Sequence, residues 1–212
     1  MKELLKIENI KKRYHDKNGE TLAIEDISLD IYENEFISIV GSSGCGKSTL
    51  LSILANLEEK SEGYIKYSKD NIKIGYMLQK DSLLPWRTIL DNCLLGLEIK
   101  KELTKEKQEK VISLLNKYGL KDFINKYPDS LSGGMRQRVA LIRTLAIDPD
   151  ILLLDEPLSA LDYQTRIALS DDLYKIIKDQ GKTAIMVTHD LGELEFYFSK
   201  IMVLLSKHLV TI

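Results

Sequence analysis

Residues 41–49 read Gly-Ser-Ser-Gly-Cys-Gly-Lys-Ser-Thr, and no other stretch restricts the fold so strongly. Gly41 and Gly46, followed by Lys47 and Ser48, have the spacing of a loop whose backbone amides cradle phosphate. Such a loop works only between a strand that delivers it and a helix that leaves it. The five residues before it, Phe36-Ile37-Ser38-Ile39-Val40, form an almost continuous apolar run, as in a strand buried on both faces. A helix is predicted from Lys47 to Leu57. The glycines let the loop curl with its N–H groups inward, and the positive end of the helix points at the same place. Phosphate contacts are therefore assigned to Gly41, Ser42, Ser43, Gly44, Cys45, Gly46, Lys47, Ser48 and Thr49. Lys47 is expected to reach the β- and γ-phosphates, and the Ser48 hydroxyl to ligate Mg²⁺.

The rest of the chain supplies a sheet for this loop. Ile27, Leu29 and Ile31 alternate with Ser28, Asp30 and Tyr32, the period of a half-buried strand. Ile74 to Leu78 reads as another short strand. From about Pro85 to Pro149 the chain is rich in Leu, Lys, Glu and Gln, and Val111, Leu114, Leu115 and Tyr118 recur at helical spacing. Strand signals return at 151–154, 183–187 and 201–205, with a helix over 163–179 between the first two. That alternation implies a parallel sheet covered by helices. The expected organisation is one α/β nucleotide-binding core, residues 1–84 and 150–212, interrupted by a helical subdomain over about 85–149.

The 212 residues, 44% of them hydrophobic, suffice for one domain with a substantial core. Lys and Arg total 30 against 32 Asp and Glu, a net charge of −2. Nucleic-acid binding as the main role is therefore not expected, because it calls for a basic excess. Two cysteines, Cys45 and Cys93, cannot form a disulfide framework and suit a reducing compartment. No leader pattern and no apolar run of spanning length is visible. The expectation is a soluble protein whose membrane role, if it has one, runs through a partner.

A phosphate loop needs a carboxylate partner. Asp155 follows four aliphatic residues and so emerges at the C-terminal end of a buried strand, where ligands sit in open parallel sheets. It is expected to hold Mg²⁺, directly or through water. Glu156 can then face the attacking water as a general base.

With these residues in view, the sequence resembles the ATP-binding-cassette family. Leu131-Ser132-Gly133-Gly134-Met135-Arg136-Gln137-Arg138 looks like the family signature, at the start of a helix running to about Ile147. Tyr14 stands where the family has an aromatic that stacks on adenine. Gln79 looks like its metal- and water-sensing glutamine, Ser159-Ala160-Leu161-Asp162 like the loop that crosses to a partner subunit, and His189 like the histidine contacting the γ-phosphate. Read alone, Ser132 is equally a helix N-cap and His189 a structural histidine. Their joint order along the chain carries the resemblance. Met135 departs from the glutamine usual after the two glycines, and Asn34 from a frequent glycine, though Asn tolerates a left-handed turn.

The resemblance implies an α/β, P-loop NTPase (ABC ATPase) core with a mostly parallel central sheet, an N-terminal antiparallel β subdomain and an inserted α-helical subdomain. It also implies ATP and Mg²⁺ as ligands, with the catalytic set Glu156, His189, Lys47 and Gln79. Nucleotide contacts would extend to Tyr14, Ser132, Gly133, Gly134 and Asp162, and metal contacts to Ser48, Gln79 and Asp155. In the family, the signature of one subunit closes over ATP held by the other. A homodimer, or a heterodimer with a related subunit, is thus expected, with a transmembrane permease as partner and an extracytoplasmic substrate-binding protein acting indirectly. The location implied is the cytoplasmic face of the cell membrane. Alternatives are an exporter subunit, a soluble cassette ATPase acting on nucleic acid or ribosomes, and a module without turnover.

Leu83-Leu84-Pro85-Trp86-Arg87-Thr88, followed by Leu90-Asp91-Asn92, resembles the ATPase subunits of nitrate, sulfonate and taurine importers. Two readings of Trp86 stand: it helps form a groove for a permease helix, or it anchors the core of the helical subdomain.

Overall fold

The structure, a computed structural model, describes residues 2–17, 19–159, 161–190, 200–205 and 208–211. The chain opens with two long strands, β1 (Glu3–Asp16) and β2 (Gly19–Tyr32), which pair antiparallel. β3 (Phe36–Val40) delivers the phosphate loop, and α1 (Lys47–Leu54) leaves it. β4 (Glu62–Tyr67) returns to pair antiparallel with β1, and β5 (Ile74–Met77) follows. Three helices come next, α2 (Ile89–Ile99), α3 (Lys105–Lys117) and α4 (Gly133–Ala146). The chain then runs through β6 (Ile151–Asp155), α5 (Tyr163–Asp179), β7 (Thr183–Thr188), β8 (Lys200–Leu205) and β9 (His208–Thr211).

These strands join in one sheet in the order β4-β1-β2-β9-β8-β3-β7-β6-β5. Strands β8, β3, β7, β6 and β5 run parallel, while β9 is antiparallel to β8. β1, β2 and β4 form the antiparallel part.

The pleat of the central strands explains why they read as apolar runs. Ile37, Ile39, Ile151, Leu153, Ile185 and Val187 point to one face, where they meet Leu50, Leu51, Ile53 and Leu54 of α1. Phe36, Leu152, Leu154, Ala184 and Met186 point to the other, against α4 and α5. Both faces are covered, so every residue of β3, β6 and β7 is buried. A third apolar cluster lies among α2, α3 and α4. Helix α4 serves two clusters at once: Ala140, Leu141 and Leu145 face the sheet, and Val139 and Ile142 face α2 and α3.

Two elements differ from expectation. α1 stops at Leu54, three residues short of Leu57, because Asn56 takes a left-handed φ of 55° and turns the chain out. Leu57 is left exposed. The second difference is Trp86. Its side chain is 72% exposed, so the reading in which it anchors the helical core is wrong. Asn92 does that work instead. It is fully buried, accepts from the Leu84 N–H, and donates to the carbonyls of Leu84, Arg87 and Thr88. The turn that presents Trp86 is thus fixed from beneath by an amide. Asn34 has a φ of 65°, the left-handed turn foreseen for it.

Candidate nucleotide-binding and catalytic site

The helices differ in how they begin. Thr88, Thr104, Ser132 and Asp162 each cap their helix through a side-chain oxygen. α1 has no side-chain cap: Gly46 precedes it with a φ of 104°. Its first N–H groups therefore lack an internal acceptor, which is the local condition for holding phosphate oxygens. The turn requires glycine at Gly46, since a Cβ there would lie 2.6 Å from the Ala23 carbonyl oxygen.

Above the loop lies an open cleft of about 560 Å³ lined by Tyr14, Thr21, Leu22, Ala23, the loop residues Ser43 to Thr49 except Cys45, Gln79 and Glu156. Its shape suits a nucleotide, with an aromatic ring at one end and phosphate donors at the other. The Tyr14 hydroxyl lies 3.5 Å from Thr49 Oγ1, and the Lys12 ammonium sits 4.8 Å from the centre of its ring.

At the phosphate end, Lys47 is buried to 4% exposure. Its Nζ donates to the carbonyls of Gly41 at 2.7 Å and Ser42 at 3.1 Å, and lies 3.5 Å from Glu156 Oε1. Glu156 sits directly after β6 with a φ of 43°, and its N–H is held by the Val187 carbonyl. A non-glycine residue in this region is strained and needs its surroundings to hold it. Here Lys47 is on one carboxylate oxygen, while Gln79 Nε2 at 3.3 Å and His189 Nδ1 at 3.1 Å meet the other. Gln79 also donates to Ser159 Oγ at 3.3 Å. Residues far apart in sequence thus converge on one carboxylate.

Asp155 is the buried neighbour. Ser48 Oγ donates to its Oδ1 at 2.8 Å, and the Tyr76 hydroxyl donates to its Oδ2 at 3.1 Å. Two hard oxygen donors beside the phosphate loop fit Mg²⁺, which takes one or two protein ligands and completes its shell with phosphate oxygens and water. No group of three His, Cys, Asp or Glu able to hold a metal occurs among the described residues, so those residues alone do not make a cage.

The signature residues lie elsewhere. Ser132, Gly133 and Gly134 do not line the cleft of their own chain. Ser132 accepts from the Met135 N–H at 3.4 Å, so it is an N-cap. A Cβ on Gly133 would come 3.0 Å from Leu161 Cδ2, which places the signature against the loop leading to α5. Asp162 caps α5, and the Thr165 N–H holds its carboxyl below the usual range. Ala160, the remaining member of that loop, lies outside the described residues.

Residues 24–159 match the ABC transporter family. The chain belongs to that family. The cassette is 50% identical over 194 residues to the uncharacterized ABC transporter ATP-binding protein YtlC of Bacillus subtilis (strain 168), covering 89% of this chain and 75% of that protein. It is 42% identical over 195 residues to the taurine import ATP-binding protein TauB of Jannaschia sp. (strain CCS1), covering 89% and 73%. Its relatives at 38–42% identity include a nitrate transport protein and import ATP-binding proteins named for taurine and aliphatic sulfonates, the group that the Leu83–Thr88 stretch resembles. Among solved structures, the dimeric post-hydrolysis state of the ATP-binding cassette MJ0796 bound to ADP and Pi superposes with a TM-score of 0.80 at 34% identity, over 97% of this chain and 96% of that one. The cassette is accordingly an ATP-binding, ATP-hydrolysing subunit.

Two residues of the cassette's site, Tyr76 and Arg143, escaped the sequence reading, and so did the contact that Ser159 makes. Tyr76 touches Asp155, Ser159 touches Gln79, and Arg143 of α4 donates to the carbonyls of Asp81 at 2.5 Å and Ser82 at 2.8 Å just beyond Gln79. The pairing of β5 with β6 could have signalled only Tyr76, since it registers beside Leu153. The Arg143 contact depends on how α4 packs, which no local pattern carries.

Proposed function

We propose that the cassette energises solute import through a membrane permease, with ATP and Mg²⁺ held between two copies of the chain. The observation that carries this reading is the convergence of Lys47, Gln79 and His189 on Glu156 at the mouth of the phosphate loop. In it Lys47 neutralises the terminal phosphates, and the loop amides orient them. Ser48 and Asp155 would hold Mg²⁺, which when bound neutralises charge on the β- and γ-phosphates. Glu156, freed from Lys47 once phosphate takes that cation, accepts the proton of the attacking water. Gln79 and His189 orient that water and the γ-phosphate.

Ser132, Gly133 and Gly134 sit away from the cleft of their own chain, so a second copy must bring its signature to the nucleotide. MJ0796, 34% identical, is described as dimeric with ADP and Pi. Asp162 would lie in the same interface. Residues 85–149, taken as the helical subdomain, would carry the permease contact through exposed Trp86. The cassette would then lie on the cytoplasmic face of the membrane, with an extracytoplasmic binding protein selecting a nitrate-, sulfonate- or taurine-like solute. Among the described residues no helix is long and apolar enough to cross a membrane, so this attachment would run through the partner.

Light scattering of a Glu156→Gln variant with ATP and Mg²⁺ tests the reading. Turnover should fall by ~10²–10⁴, and a dimer should accumulate that a further Ser132→Arg substitution disperses. Undiminished phosphate release would remove Glu156 from the role of base, and a persistent monomer would remove the shared site.

A further inference from the structure

Asp155 is the last residue of β6, and its two carboxylate oxygens have different partners. Oδ1 faces Ser48, and Oδ2 accepts from the Tyr76 hydroxyl at 3.1 Å. The reach is set by the pleat. Tyr76 registers with Leu153, two residues before Asp155, so the ring and the carboxylate lie on the same face of the sheet. That face is the one α1 covers. The result is a chain of three side chains, Tyr76, Asp155 and Ser48, that ends at the phosphate loop.

We propose that Tyr76 is a positioning residue for the divalent cation: its hydroxyl occupies Asp155 Oδ2 and thereby keeps Oδ1 turned toward Ser48 and the phosphates. A carboxylate on a strand end can otherwise rotate and offer either oxygen. Asp155 is only 8% exposed, so an unpaired Oδ2 would also carry a desolvation cost that reorientation relieves. A tyrosine hydroxyl ordinarily keeps its proton across the working range, so it remains a donor to Asp155. Groups that orient metal ligands from behind commonly change metal affinity by 10–100-fold when removed. The proposal rests on the assignment of Asp155 to Mg²⁺ above.

The test measures binding of a non-hydrolysable fluorescent ATP analogue to the purified chain, in EDTA and across a Mg²⁺ titration. Tyr76→Phe should raise the Mg²⁺ half-saturation point about 10-fold and leave affinity in EDTA unchanged. Tyr76→Leu, which is apolar and also lacks the hydroxyl, should shift it in the same direction and supplies the reading if Tyr76→Phe folds poorly. An unshifted Mg²⁺ midpoint in Tyr76→Phe, beside a shifted one in Asp155→Asn, overturns the role of Tyr76 alone. Equal loss with and without Mg²⁺ also overturns it, since that marks a packing role. If Asp155→Asn leaves the midpoint in place, the assignment of Asp155 to the metal fails and takes this proposal with it.

Discussion

At the scale of single residues, the site depends on backbone conformations that side chains oppose. Gly46 combines a φ of 104° with a carbonyl 2.6 Å from where a Cβ would stand. Gly46→Ala therefore has no cheap relaxation, because the obstructing atom is backbone of β2. A strain of about 1–3 kcal/mol is expected, placed where the loop meets α1. Affinity for a fluorescent ATP analogue should fall at least about 10-fold, a change of ~1.4 kcal/mol, and titration of the purified variant reads this directly. Glu156 is the opposite case: a strained residue that is kept because three neighbours hold its carboxylate. Its replacement by Gln keeps the shape and removes the carboxylate proposed as the base, which is why that variant is expected to separate binding from turnover.

At the scale of elements, the turn between β5 and α2 divides stability from recognition. Asn92 satisfies four backbone groups of residues 84–88 from a fully buried position. Asn92→Ala removes the partner of the Leu84 N–H and the Arg87 carbonyl, while the Leu84 and Thr88 carbonyls keep the backbone N–H groups of Arg87 and Asn92. It should cost about 3 kcal/mol, seen as a lower urea midpoint. Trp86, on the outside of the same turn, should behave otherwise. Trp86→Ala is expected to change stability by no more than about 0.5 kcal/mol while weakening co-purification with the proposed permease partner. A large loss of stability in that variant would count against the exposed placement. Helix α4 links this region to the catalytic end. Arg143 grips the carbonyls of Asp81 and Ser82, Arg136 pairs with Asp81 at 3.1 Å, and Arg138 pairs with Asp172 of α5. The signature helix is thus tied to the segment after Gln79 and to α5 together.

At the scale of the whole molecule, the helices and the sheet are fastened by ion pairs as well as by apolar clusters. Asp148 accepts from Lys182, just before β7, at 2.9 Å and lies 3.5 Å from Lys110 of α3. The Lys182 hydrogen bond holds the Asp148 carboxyl below the usual aspartate range. Because the folded value is the lower one, the unfolded chain binds more protons through this window, and stability rises with pH there. The contribution is in place above about pH 4, the ordinary aspartate value, and is lost as pH falls through the folded value. Denaturant midpoints measured from pH 6 to pH 3 should fall more steeply for the wild type than for Asp148→Asn.

The sequence by itself determined the elements whose signal is local. The phosphate loop needs glycines at fixed positions, the central strands need apolar residues on both faces, and α5 runs over Tyr163–Asp179 as its pattern predicts. Lys47, Asp155 and Glu156 could be picked out because each ends or follows a recognisable strand or opens a helix; Gln79 and His189 came only from the resemblance to the cassette family. What only the tertiary structure decided are the contacts made across strands and helices. Tyr76 reaches Asp155 through sheet register, Asn92 rather than Trp86 fills the turn, and Arg143 finds Asp81 and Ser82 through helix packing. Hydrophobic periodicity reports which way a side chain faces; it does not report which partner waits there, and hydrogen-bonded polar contacts are set by that second fact.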